Sequence, residues 1–147
     1  VPYDEFAKAF QARFDAKMAA REQALPAARR SIRASANAIR AIHRGDIEPA
    51  RGLMQESASA FLAGLEAVRD HPDVAQAGFL QDAQKEYAEA RITEAIVLGG
   101  EIPGPEDVGV ELAPYLNGMA EAVGEARRFI LDLLRRGEVE RSESVLT

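Results

Sequence analysis

The sequence predicts an all-α fold, a bundle of about five to six helices led by a long, kinked N-terminal helix. Alanine, leucine, glutamate and arginine, all strong helix formers, dominate the chain. Period-two alternation of apolar and polar residues never runs far, so strand signals are nearly absent. Glycine and proline fall where helices should stop. With 147 residues the chain suffices for one domain with a real apolar core, spanning 1–147, and is short for two.

The first helix is expected from Asp4 to Arg44, with Pro26 marking a kink or a short interruption and Gly45 ending it. The second runs from Ile47 to Asp70, where Pro49 is tolerable because it lies in the first turn. Asp70-His71-Pro72 reads as a turn. The third helix spans Asp73 to Leu98 and stops at Gly99-Gly100. A loop from Glu101 to Gly109 carries Pro103 and Pro105. The fourth helix begins near Pro114 and ends at Gly137, and a last stretch covers Glu138 to Leu146. No internal repeat or low-complexity segment interrupts this pattern.

Composition narrows the chemistry. Hydrophobic residues make up 47% and charged residues 29%, a globular balance. The absence of cysteine removes disulfide frameworks, thiolate zinc sites and cysteine nucleophiles together, and fits a reducing cytoplasm. No stretch approaches the roughly 20 apolar residues of a membrane span, and the N-terminus lacks the order of a secretory signal. The chain is therefore expected to be soluble, cytoplasmic and free of membrane association. It also lacks an initiator methionine, which suits a trimmed or processed piece. A net charge of -6 argues against a dedicated duplex-DNA binder.

Local charge differs from the average. Between Glu22 and Asp46 there is no acidic residue, yet Arg29, Arg30, Arg33, Arg40, His43 and Arg44 fall there. At about 100° per residue, Arg29, Arg33, Arg40 and Arg44 share one narrow stripe with Asn37 beside it. Ile32, Ile39 and Ile42 point elsewhere and can pack on the bundle. A row of guanidinium groups suits a polyanion backbone, because each can grip phosphate with paired hydrogen bonds. The alternative is a solvated helix whose arginines pair with acids on neighbouring helices. His43 is placed with the arginines. With three Tyr, six Phe and no Trp, binding would rest on phosphates more than on stacked bases, with low sequence specificity.

Two pairs of carboxylates sit at helical spacing. Glu86 and Glu89 are one turn apart on the third helix, where Glu86 projects between Phe79 and Ala90 on the apolar face. Glu121 and Glu125 are one turn apart on the fourth, with Glu125 at the edge of an apolar stripe and Gly118 leaving room above it. If these helices pack together, four carboxylates converge. Hard oxygen ligands of this kind suit magnesium or manganese, which can activate water and steady a phosphoryl transition state. The alternative is a set of surface acids paired with Lys85, Arg127 and Arg128. Glu94, also on an apolar face, is a rival site acid. The histidines, His43 and His71, lie apart and lack the glutamate spacing of ferritin-like iron sites. His71, beside a turn proline, reads as structural. No P-loop, dinucleotide-binding glycine pattern or serine triad is present.

Several segments, taken in order, resemble the translin/TRAX family. They are Arg29-Arg30-Ser31-Ile32-Arg33 through Ile42-His43-Arg44, Lys85-Glu86-Tyr87-Ala88-Glu89-Ala90, and Gly100-Glu101-Ile102-Pro103 leading to Val108-Gly109-Val110. Tyr115-Leu116-Asn117-Gly118-Met119 and Gly124-Glu125-Ala126-Arg127-Arg128 complete the set. The resemblance implies an all-helical protein that assembles into closed oligomers around a cavity and binds single-stranded RNA or DNA. Within the family, translin binds nucleic acid and TRAX supplies a metal-dependent endoribonuclease through acids on two helices. Resemblance to TRAX places those acids at Glu86, Glu89, Glu121 and Glu125, with glutamate at 121 where TRAX has aspartate. The implied activity is a magnesium- or manganese-dependent endoribonuclease acting on single-stranded RNA, in a homo-oligomer. The alternatives are a non-catalytic, translin-like binder of single-stranded RNA or DNA, and a helical assembly protein with no nucleic-acid role. Family members usually continue with further helices, so C-terminal helices are expected to be missing after Thr147.

Overall fold

The computed structural model describes residues 2–147. Seven α-helices and no strand are found among the described residues: α1 (Pro2–Arg44), α2 (Ile47–Ala67), α3 (Pro72–Ala75), α4 (Gly78–Leu98), α5 (Pro105–Val108), α6 (Leu112–Arg135) and α7 (Val139–Leu146). The all-helical expectation holds. Three details differ. α1 runs unbroken through Pro26, which lies on the exposed side, where water can satisfy the Glu22 carbonyl that loses its helical partner. The expected third helix is split, because Ala77 adopts an extended conformation (φ -65°, ψ 147°) before α4 begins. The proline-containing loop holds one helical turn, α5, which starts at Pro105 and is tied by the Asp107 carboxylate accepting from the Gly104 N–H at 3.2 Å.

α1 packs along α2 and α4, and α6 lies against α4. Small side chains make this close approach possible. Ala24, Ala28, Ala38 and Ala41 of α1 are fully buried, and Phe61, Leu80 and Ile92 fill the space they leave. At the α1–α2 contact, Ser57 donates to the Ser31 carbonyl at 3.0 Å. Its hydroxyl also meets those of Ser31 (2.9 Å) and Ser35 (2.7 Å), so this buried trio is mutually satisfied. Near the other end, Ile42, Phe129 and Leu133 join α1 to α6. Gly99, at φ 68°, takes the left-handed conformation that lets its N–H close α4 on the Ala95 and Ile96 carbonyls.

Beyond this core, α1 extends as an arm. Residues 2–16 are all exposed, and Tyr3, Phe6, Phe10, Phe14 and Met18 are open to solvent. α6 also shows an apolar outer face, with Leu112, Leu116 and Val123 exposed. No helix is long and apolar enough to cross a membrane.

Candidate functional site

The contact between α4 and α6 is set by Gly118. A Cβ there would lie 2.6 Å from the Lys85 carbonyl oxygen and 2.9 Å from the Ala88 side chain. Only glycine allows so close an approach. It occurs beside both acid pairs, and its effect is to bring three of the four acids together. Glu86, Glu89 and Glu121 each offer a carboxylate oxygen, and these atoms all lie within 4.8 Å of one another. Glu125 borders the same place. With Glu86, Glu89, Arg40 and Arg128 it lines a cleft of about 210 Å³.

Electrostatics mark this as a crowded anionic spot. Glu89 is the buried member, at 7% exposure, whereas Glu86 is half-buried and Glu121 exposed. Burial pushes the Glu89 carboxyl up to about 8, assisted by the charge of Glu86, a hydrogen bond with Glu121, and the charges of Glu121 and Glu125. At neutral pH Glu89 therefore holds a proton. The cluster has one close ammonium partner, Lys85, whose Nζ is 2.9 Å from Glu121 and 3.4 Å from Glu86. Burial works against the charged lysine, but the hydrogen bond to Glu121 and the charges of both acids hold its pKa above the ordinary value. Three carboxylate oxygens in reach of one point fit a hard divalent cation, whose charge would take the place of the proton that Glu89 holds in the metal-free cluster. The cluster can hold a metal ion.

Arg29, Arg30, Arg33, Arg40 and Arg44 are all exposed. Arg44 pairs with Asp46 at 3.0 Å, and Arg40 donates to the Asn37 side-chain oxygen at 2.7 Å. Among the described residues, Arg29, Arg30, Arg33 and Arg40 make no ion pair with any acid. His43 does not join them. Its side chain is 4% exposed and its Nε2 lies 2.5 Å from a Glu125 oxygen. The reason is angular: His43 lies one turn from Ile39 and two from Ala36, on the edge of α1 that turns inward. Glu94, the rival acid, is taken by Arg51 at 2.7 Å and lines a different cleft with Tyr87 and Arg91. Sequence reasoning missed the cleft position of Arg128, although its spacing from Glu125 was the available signal.

The structure of AfC3PO in complex with duplex RNA matches this chain at TM-score 0.86 and 31% identity, over 95% of this chain and 72% of that one. The chain belongs to the translin/TRAX family. The crystal structure of AfC3PO, a protein of Archaeoglobus, matches at TM-score 0.84 and 29% identity over the same shares. A third translin/TRAX structure, apo-NeC3PO, shares the fold at TM-score 0.80 and 20% identity, over 97% of this chain and 74% of that one. No family model and no curated protein matches the chain.

Proposed function

We propose that this translin/TRAX chain binds single-stranded RNA and cleaves it as a magnesium- or manganese-dependent endoribonuclease. Glu86, Glu89, Glu121 and Glu125 would hold the cation, and Arg29, Arg30, Arg33, Arg40 and Arg44 the RNA backbone. The observation that carries this is the convergence of carboxylates from α4 and α6 in a cleft that also contains Arg40 and Arg128. When bound, a divalent cation supplies Lewis acidity and a more acidic water. The chain's own part is positional. Exposed arginines free of acid partners are available to phosphates, and Arg40 brings that stripe to the rim of the acid cleft. The complex of the related AfC3PO with duplex RNA supports RNA as the ligand. The exposed arm of α1 and the outer face of α6 are apolar surfaces of the kind that self-assembly buries, which supports a homo-oligomer. Core clusters that share α1 and α4 support one domain over 1–147. Action on RNA suits a cytoplasmic protein.

The test is cleavage of end-labelled single-stranded and duplex RNA in Mg²⁺, Mn²⁺ or EDTA, by the parent and by Glu86→Gln. Metal-dependent cutting of the single strand that the variant loses is the expected result. No cutting in any metal, or equal cutting by the variant, refutes the nuclease.

A non-catalytic binder of single-stranded RNA or DNA is favoured by one specific observation. Lys85 already pairs with both Glu86 and Glu121, offsetting part of their charge, and the arginine stripe needs no metal. Such a protein would bind equally well in EDTA without cutting. In either case Arg33→Ala or Arg40→Ala should weaken binding and flatten its salt dependence by about one counterion each.

A further inference from the structure

His43 is a buried ring on a helix whose neighbouring cations all face solvent. Its Nε2 lies 2.5 Å from Glu125 Oε2, and its Nδ1 is buried with no partner. A carboxylate only accepts hydrogen bonds, so Nε2 must carry the proton. A proton on Nδ1 would be a buried donor without an acceptor, which is costly. The ring therefore aims one N–H at one oxygen of Glu125. The other oxygen, Oε1, takes no hydrogen bond among the described residues, while Glu125 lines the cleft with Glu86 and Glu89. The bond also joins α1 to α6 across 82 residues of sequence, one turn from Arg40.

We propose that His43 is a positioning residue of the metal centre, fixing the Glu125 carboxylate through Nε2–H and so setting divalent-cation affinity, and that it does not contact RNA. This rests on the metal-holding role proposed for the glutamates. Carboxylate ligands held by a hydrogen-bonded partner typically lose about 10- to 100-fold in metal affinity when that partner is removed.

The experiment compares the full chain with His43→Asn, whose amide is too short to reach Glu125, and His43→Gln, whose amide nitrogen reaches the place of Nε2. Binding of Mn²⁺ is read from the loss of its free-ion electron paramagnetic resonance signal, and RNA affinity is measured separately in EDTA. The expected result is Mn²⁺ binding weakened about 10- to 100-fold in His43→Asn, recovered in His43→Gln, with RNA affinity in EDTA the same for all three. Equal Mn²⁺ affinity in the parent and His43→Asn overturns the role of His43 alone, as does His43→Gln binding no better than His43→Asn. Loss of RNA affinity in EDTA would instead make His43 an RNA ligand. A parent that takes up no Mn²⁺ defeats the whole metal centre and this role with it. If His43→Asn does not fold, the ring tautomer of the metal-free parent decides, read from long-range ¹H–¹⁵N spectra. A proton on Nε2 supports the proposal, and a bare Nε2 overturns it.

Discussion

Replacing Glu89 with glutamine should stabilise the metal-free protein, and the gain should grow with pH. The folded chain keeps the Glu89 proton up to about pH 8, whereas the unfolded chain releases it near the ordinary glutamate value of 4.5. Between those values the folded state binds the additional proton. The contribution of Glu89 to stability is thus full below pH 4.5 and declines as pH rises through about 8. At about 1.4 kcal/mol per pH unit, that interval sets a ceiling of roughly 5 kcal/mol. Lys85 and the water reaching Glu86 and Glu121 screen the cluster, so about 2 kcal/mol is the expected loss across the range. For a chain of this size that is about 4–8 °C in Tm. Glutamine has nearly the same shape, stays neutral throughout and can still donate to Glu121. Thermal melts in EDTA from pH 5 to 9 should therefore show a smaller decline for Glu89→Gln than for the parent. Saturating Mn²⁺ should reverse the order, because it stabilises only the chain that keeps its ligand. Parallel pH profiles in EDTA would refute both the buried proton and the electrostatics assigned to the cluster.

Gly118→Ala should cost about 1–3 kcal/mol, because backbone atoms of α4 stand where the new Cβ must go. The same change should weaken Mn²⁺ binding by spreading the acids, and melts and Mn²⁺ titrations check both effects. Lys85→Met should raise Mn²⁺ affinity, since the ammonium competes for Glu86 and Glu121, while lowering metal-free stability by about 1 kcal/mol. A fall in affinity would show instead that Lys85 helps to build the site. Ser57→Ala strands the buried Ser31 and Ser35 hydroxyls and should cost about 1–3 kcal/mol in denaturant melts, leaving RNA binding unchanged.

The helices were legible because their composition and their stops agree, as at Gly45 and Gly99. The break before α4 is less plain, because Ala77 is a good helix former and Gly78, a poor one, is the single local signal of the extended residue that separates α3 from α4. The acid pairs could be picked out from spacing, and Gly118 signalled the close contact. Which acid is buried could not be read from one apolar face. α4 is covered by α1 on one side and α6 on another, so Glu89 sinks while Glu86 stays half-open. Neighbourhood in sequence groups His43 with the arginines. Its inward turn depends on which edge of α1 meets α6, a fact of assembly that no local pattern contains.

The alanine seam of α1 makes enlargement the dangerous direction of change in this molecule. Ordinary cores suffer most when a bulky side chain is shaved away, but Ala24, Ala28 and Ala38 have nothing to lose and no space to grow. A valine at any of them would lever α1 off its neighbours and carry Arg40 and His43 with it. Damage would then reach the acid cleft from residues that never touch it, and a saturation library should show those alanines depleted of every larger substituent.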